Sequence, residues 1–474
     1  MKFRIEEDSL GKVRVPRNAL WGAQTQRAID NFPISGISMN FPFTNTFIAM
    51  LGYVKDAAAR ANKNLKLLEA KKQKVISRAA KEVWTNKHGK EFPIDVFQTG
   101  SGTSTNMNAN EVIANLCYKT SKIKIHPNDD VNMSQSSNDV IPTVMNLAYY
   151  FDSSKKLMPA LNLLIETLEK KAESVKGITK TGRTHLMDAM PVDMSDELNA
   201  WNTQLKCSRE SMAVVLEKLL FLPQGGTAVG SGINAHRRFS KEFAKELSKL
   251  TGFKTKPSKD FFRNLSAQDL SVQLSGELKN LATILLKISN DLRWMNSGPL
   301  SGISEIELQA LQPGSSIMPG KVNPVIPEAV AMAAADVIGN DVSITVAAQS
   351  GNFQLNVMLP VIAYCNLKSV NILAGSMNVL AKKAIKTFKV NHKKIEESLS
   401  RNPILVTALN PVIGYQKAAE IAKRAYKESR PVIDVAHEET GISVSRLKKL
   451  LDPSKLTKGG ITVSYTHLRA HETQ

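Results

Sequence analysis

Leu270-Ser271-Val272-Gln273-Leu274-Ser275-Gly276-Glu277-Leu278-Lys279-Asn280-Leu281-Ala282-Thr283-Ile284-Leu285-Leu286-Lys287-Ile288-Ser289-Asn290-Asp291-Leu292 decides the fold. Leu270, Leu274, Leu278, Leu281, Leu285, Ile288 and Leu292 recur at steps of three and four, which puts them on one face of a helix of about seven turns with Ser266 as its expected cap. Such a stripe needs partners along its whole length. Leu157, Leu161, Leu164, Ile165 and Leu168 make a similar stripe before Gly177, and Pro327 suits the first turn of another long helix through the Ala-rich stretch to Asn340. Several long helices with apolar faces read as a bundle, and periodicity supports no more than that. Only the opening residues alternate: Phe3, Ile5, Val13 and Val15 around Asp8-Ser9-Leu10-Gly11 predict a small N-terminal β-hairpin. The fold class is therefore all-α (mainly helical), without internal repeats or a low-complexity linker.

Composition narrows the function classes. The chain has 474 residues, 42% hydrophobic and 22% charged, ordinary for a globular protein with a large core. No run of about 18 uninterrupted apolar residues occurs, so no membrane span is expected. Glu6, Glu7 and Asp8 make the first residues unlike an acidic-poor transit peptide, and the expected location is cytoplasmic, or mitochondrial for a trimmed form. Cys117, Cys207 and Cys365 are odd in number and widely spaced, which suits reduced packing residues better than disulfides or a thiolate metal site. His467 and His471 have helical metal-ligand spacing but lie in the segment 461–474, which departs from the preceding composition and reads as a non-native tail. The formal charge is +19, yet Lys is scattered over helical stretches such as 63–90 without interleaved aromatics or a nucleic-acid motif. A solvated face is the expectation, with no nucleic acid and no membrane as partner. Attraction of an anionic substrate is a second use for the charge.

Gly314-Ser315-Ser316-Ile317-Met318-Pro319-Gly320-Lys321-Val322-Asn323-Pro324 lies between two helical segments. Glycines and prolines hold two hydroxyls, a cation and a carboxamide out of regular structure there. Loops of this composition are commonly connectors. This string, however, resembles the signature loop of the fumarase/aspartase superfamily. The resemblance extends from the first residues to about Gly460, through Trp21-Gly22-Ala23-Gln24-Thr25-Gln26-Arg27, Thr99-Gly100-Ser101-Gly102-Thr103 with the residues to Glu111, His126 to Asn132, Ser134 to Asp139, Gly182-Arg183-Thr184-His185-Leu186-Met187-Asp188-Ala189 and Gly225 to Gly230. Thr99 to Thr103, the paired aspartates of 126–130, and Ile413-Gly414-Tyr415-Gln416-Lys417-Ala418-Ala419 are similar to the class II fumarase branch rather than to the ammonia-lyases.

The resemblance implies a three-domain subunit: a helical N-terminal domain over 1–138, a central long-helix bundle over 139–390 and a small C-terminal helical domain over 391–460. It also implies a homotetramer with active sites shared between subunits, acting on fumarate and L-malate. That reaction needs a base for a weakly acidic C–H, positive partners for a carboxylate taking on enolate-like charge, and an acid for the departing hydroxyl. On this reading Ser315 is the base, which demands backbone N–H groups and a cation, Lys321 being the candidate, to stabilise an alkoxide. Lys321 and Asn323 bind a substrate carboxylate, assisted by Thr103, Ser136, Ser137, Asn138 and Thr184. His185 moves protons and Glu328 orients it. Taken alone, each of these short polar residues is more commonly a cap or turn residue.

A second anion site is expected around His126, Asn128 and Asp129. Ile123 stands where the family commonly has arginine, flanked by Lys122 and Lys124. A second departure, Ser195-Asp196-Glu197 in place of the usual Gly-Gln-Glu, bears on local packing rather than on reaction class. No cofactor and no metal is expected, because phosphate-cradling, dinucleotide and iron–sulfur patterns are missing from the sequence. The alternatives are an aspartate ammonia-lyase or related fumarate-forming lyase and, from another class, a catalytically inactive basic binding protein on the same scaffold.

Overall fold

A computed structural model describes residues 2–41 and 45–458; the tail 461–474, with His467 and His471, lies outside them. Among the described residues helices dominate, and the strands form only short two-stranded pairs. The first pair is the expected hairpin, Phe3–Asp8 against Gly11–Pro16, antiparallel with Asp8 opposite Gly11. The Leu stripe forms the helix Asp269–Met295. Leu274, Leu278, Leu281, Leu285, Ile288 and Leu292 are all buried, as the three–four spacing requires.

The chain divides into two units. The first comprises Met1–Leu161, Cys207–Thr283 and Met332–Ser376, and the second Asn162–Lys206, Ile284–Ala331 and Met377–Gln474. The helices Met158–Ser174, Met194–Leu219, Asp269–Met295, Val325–Ala348 and Leu359–Leu380 each contribute residues to both.

Within the first unit the helix Thr46–Asn64 packs against Ala70–Trp84. Gly52 permits a close approach, since a Cβ there would lie 2.9 Å from Trp84 N, and Tyr53 stacks on Trp84 with ring centroids 4.0 Å apart. The motif Trp21 to Arg27 is anchored by one buried carboxylate. Glu111 accepts hydrogen bonds from the backbone N–H of Gly22, Gln24 and Thr25 at 2.8, 2.9 and 3.2 Å, and from Thr25 Oγ1 at 2.6 Å. A carboxylate at the start of the helix Ala23–Asn31 satisfies N–H groups that have no partner within the helix. The C-terminal part of the second unit has its own core of Leu405, Leu409, Ile421, Val432, Val435 and Leu447.

Two expectations need correction. Ser266 does not cap the long helix; it ends the short helix Phe261–Ser266, and Ala267 is extended at φ −107° and ψ 142° before the chain turns helical again at Asp269. Local capping of the short helix by Asp260, which accepts from Arg263 N at 3.0 Å, makes a separate element of residues that periodicity would merge with the stripe. The Ala-rich helix runs past Asn340 to Ala348. By length and composition alone that helix could cross a membrane, with a window of mean hydropathy 1.4. Its two aspartates argue for packing within protein: Asp336 pairs with Lys368 at 2.7 Å, and Asp341 pairs with Lys279 at 2.6 Å while accepting from Ser275 Oγ at 2.7 Å. Charged groups at mid-span are strongly disfavoured in lipid.

Candidate active site

Two groups of polar residues arise, one in each unit. In the first unit the helix Thr103–Ser121 starts after Gly102, whose φ of 71° lies in the left-handed region and where a Cβ would meet Ile141 Cγ1 at 2.9 Å. The backbone before it is held by Leu359 N–H, which donates to Gly100 O at 2.9 Å. Ser101 Oγ and Thr103 Oγ1 are 2.8 Å apart.

Ser136 caps the helix Ser137–Asp152. Its Oγ accepts from Asn138 N at 3.2 Å, and Asp139 Oδ1 accepts from Ser136 N at 2.9 Å. The other oxygen of Asp139 accepts from Gly225 N and Thr227 N, both at 2.9 Å, while Asn138 Nδ2 donates to Ala228 O at 2.8 Å. The Ser136–Asn138 turn and the Gly225–Gly230 segment thus form one hydrogen-bonded body. Burial pushes the Asp139 carboxyl up to about 6, against the pull of these N–H groups and of Lys55.

Lys55 is fully buried on the helix Thr46–Asn64. Its Nζ donates to Asn132 Oδ1 at 2.9 Å and to Gln135 Oε1 at 3.0 Å. Asn132 Oδ1 also accepts from Asn106 Nδ2 and Asn110 Nδ2, both at 3.2 Å, and Asn106 Nδ2 reaches Ser137 Oγ at 2.9 Å. Burial lowers the Lys55 pKa to about 7, opposed by the charge of Asp139. Sequence reading missed this network, although a lysine inside the apolar run Phe47 to Ala59 was a visible signal.

Thr103, Ser136, Ser137 and Asn138 therefore sit on turns locked from behind. His126, Asn128 and Asp129 lie in the same unit in a more open turn, where His126 and Asp129 side chains are 57% and 82% exposed. His126 Nδ1 is 3.1 Å from Asp129 N and 3.2 Å from Asp129 Oδ2. An N–H can only donate, so Nδ1 is the acceptor and the proton belongs on Nε2. Asp130 is paired with Lys72 at 2.8 Å.

In the second unit the loop 314–324 is tied to itself. Gly314 N donates to Lys321 O at 2.7 Å and Asn323 Nδ2 to Gly314 O at 2.8 Å; a Cβ on Gly314 would lie 2.5 Å from Lys321 O. Inside this closure Ser315 Oγ accepts from two backbone N–H groups, Met318 at 3.0 Å and Ile317 at 3.2 Å. Two N–H dipoles aimed at one hydroxyl oxygen favour its anionic form, as an oxyanion hole favours an alkoxide. Lys321, Asn323 and Glu328 line one cleft of about 430 Å³ together with Asn290, Arg293 and Trp294. Those last three lie near the end of the long stripe helix and were not singled out in the sequence.

Thr184 and His185 stand elsewhere in the second unit, on a hairpin that sequence reading did not anticipate. Thr179–Thr184 pairs antiparallel with Met187–Asp193, leaving His185 and Leu186 as a two-residue turn. Both have positive φ, 55° and 62°, the pattern of a turn that prefers Asn-Gly. Holding two non-glycine residues there costs about 1–2 kcal/mol each. His185 is exposed at the tip and, among the described residues, makes no hydrogen bond to Glu328 within the chain. The departure at 195–197 is accommodated: Asp193 accepts from Ser195 N and Oγ at 2.8 and 2.7 Å at the start of the helix Met194–Leu219, and Glu197 pairs with Lys180 at 2.8 Å.

Residues 11–339 match a family described as lyase, and residues 405–458 match one described as fumarase C C-terminus. The chain is 56% identical over 458 residues to a class II fumarate hydratase of Pseudomonas aeruginosa, covering 97% of this chain and 99% of the relative. It is 54% identical to a class II fumarate hydratase of Xylella fastidiosa, covering 98% and 97%. Among solved structures, a class II fumarase from Schistosoma mansoni superposes with a TM-score of 0.92 at 35% identity, over 96% of this chain and 99% of that one.

Proposed function

Because the chain belongs to the class II fumarate hydratases, we propose that it catalyses reversible hydration of fumarate to L-malate with Ser315 as the base. The observation that carries the assignment of Ser315 is the pair of backbone N–H groups on its Oγ, in a loop that also supplies Lys321 and Asn323. In the malate direction Ser315 removes a proton from the carbon next to a carboxylate. Lys321 and Asn323 hold the negative charge that develops on that carboxylate, and Thr103, Ser136, Ser137, Asn138 and Thr184 clasp the remaining carboxylate oxygens. His185, oriented by Glu328, delivers the proton that lets hydroxide leave as water; in hydration the same group activates the water.

The working unit in this reading is a homotetramer in which these residues come together from different subunits. Support comes from the helix Val325–Ala348, where Ala329, Met332, Ala335, Gly339, Val342 and Val346 form a helical stripe of small and apolar residues. Met332, Val342 and Val346 are 69%, 60% and 52% exposed in the single chain, a face that calls for a protein partner. Free Cys117, Cys207 and Cys365 fit a reducing, cytoplasmic setting.

Purified protein is expected to form fumarate from L-malate, followed by its absorbance, and to keep doing so in the presence of a chelator. Fumarate from L-aspartate but not from L-malate would reject the assignment in favour of an ammonia-lyase. Sharing of the site is tested by mixing Ser315→Ala and His185→Asn proteins after reversible dissociation. Each alone should be nearly inactive, and random mixed tetramers should recover roughly a quarter of their sites by symmetry. Mixed tetramers that form but stay inactive reject the shared site.

A further inference from the structure

The turn that carries His185 is poorly specified by its own sequence. His185 and Leu186 both occupy left-handed backbone, at φ 55° and 62°, and Leu186 is 61% exposed, so little side-chain packing offsets the strain. Such a conformation persists only when the surrounding structure over-determines it. Four charged residues on and beside the hairpin supply that constraint. Glu305 is 2% exposed and meets Arg183 Nη1 at 2.6 Å through one oxygen and Lys180 Nζ at 2.7 Å through the other. Lys180, itself 4% exposed, continues to Glu197 at 2.8 Å. Burial disfavours charge on Lys180, yet Glu197 and Glu305 outweigh it and hold its pKa above the usual lysine range.

The anchor itself is fixed. Glu305 N–H donates to Met295 O at 2.8 Å, its carbonyl accepts from Asn391 N–H at 2.9 Å, and the next residues, Ile306–Glu307, pair with Lys389–Val390. The hairpin shifts register between Thr181 and Arg183, where a Cβ on Gly182 would lie 2.5 Å from Met190 O, so the strand cannot slip to relieve the turn. We propose that Glu305 is a positioning residue: through Arg183 and Lys180 it holds the His185–Leu186 turn in its strained form and so places the His185 imidazole. The proposal rests on His185 being the proton-handling group.

The test measures kcat and KM for L-malate together with thermal unfolding. Glu305→Gln keeps the shape but removes the charge that holds Arg183 and Lys180, and kcat is expected to fall about ten- to a hundredfold, the effect of a displaced catalytic group. KM should rise by less than kcat falls, because Thr184, which clasps a carboxylate in the proposed mechanism, keeps its strand pairing with Met187, whereas the strained backbone is that of His185 and Leu186. Leu186→Gly makes the turn tolerant of positive φ without outside help. Alone it should stay within about threefold of wild type, and added to Glu305→Gln it should restore kcat about tenfold, because the turn no longer depends on the clamp. Should Glu305→Gln fail to fold, Arg183→Gln breaks the same pair at its more exposed end and takes its place. A wild-type kcat in these variants, or a loss that Leu186→Gly leaves untouched, overturns the proposal. His185→Asn separates the two readings: if it is inactive while Glu305→Gln is normal, only the clamp fails, and if it stays active the assignment of His185 fails and the clamp with it.

Discussion

The loop around Ser315 and the turns around Asp139 are both built from short polar residues, but they are held in opposite ways. The loop is held by its own backbone: Gly314, Lys321 and Asn323 close it, Met318 and Ile317 aim at Ser315 Oγ, and residues 316–322 are exposed. The Asp139 region is held by buried charge, with one carboxylate accepting from Ser136, Gly225 and Thr227 and one ammonium tying Asn132 to Gln135. A backbone-closed loop can expose its reactive oxygen while leaving the rest of the protein indifferent to that side chain. A buried shell cannot, because each removed partner leaves desolvated groups unsatisfied.

The sharpest way to break this comparison is Ser315→Ala. It should lower kcat about a thousandfold or more, with the unfolding temperature within about 1 °C of wild type, since only a loop hydroxyl is lost. A large drop in unfolding temperature would show that the loop is structural as well. Asp139→Asn should show the reverse balance. Replacing one acceptor oxygen by an NH2 group facing backbone donors should cost about 2–4 kcal/mol, measured by denaturant unfolding of the assembled protein, with a smaller loss of kcat than Ser315→Ala gives.

A pH-dependent effect sharpens the account of Lys55. Its folded-state pKa of about 7 lies below the unfolded value of 10.5, so between these the unfolded chain binds the extra proton. The cost of burying the charge is complete below about pH 7 and is relieved as pH rises toward 10.5. Wild type should therefore gain stability relative to Lys55→Met over that interval. A pH-independent difference would mean that the amide cage keeps the ammonium charged throughout. The smallest expected effect concerns the exposed charge: kcat/KM should decline severalfold as inert salt rises from low ionic strength while kcat barely changes, because screening acts on encounter with a dianion. A salt-independent kcat/KM would leave the +19 charge to general solvation.

The long helices were legible because burial follows a period of 3.6: every third or fourth residue from Leu274 to Leu292 is apolar and buried, and the amino-terminal hairpin follows the period of two. The candidate residues were named through the resemblance of strings such as 314–324 to one family, a likeness that a string of letters preserves. What periodicity could not carry is geometry set by contacts remote in sequence. The first strand of the hairpin under His185 consists of Thr, Lys, Gly and Arg without an alternating apolar face. Arg183, Lys180, Glu197 and Glu305 look like ordinary surface charges until folding brings residues 122 positions apart to 2.6 Å. Lys55 and Asp139 likewise read as polar residues among many, yet the fold desolvates both and thereby changes what each does. Local pattern encodes which face of a helix is buried; only the tertiary structure decides which charges share that burial, because ion pairing and desolvation act through space rather than along the chain.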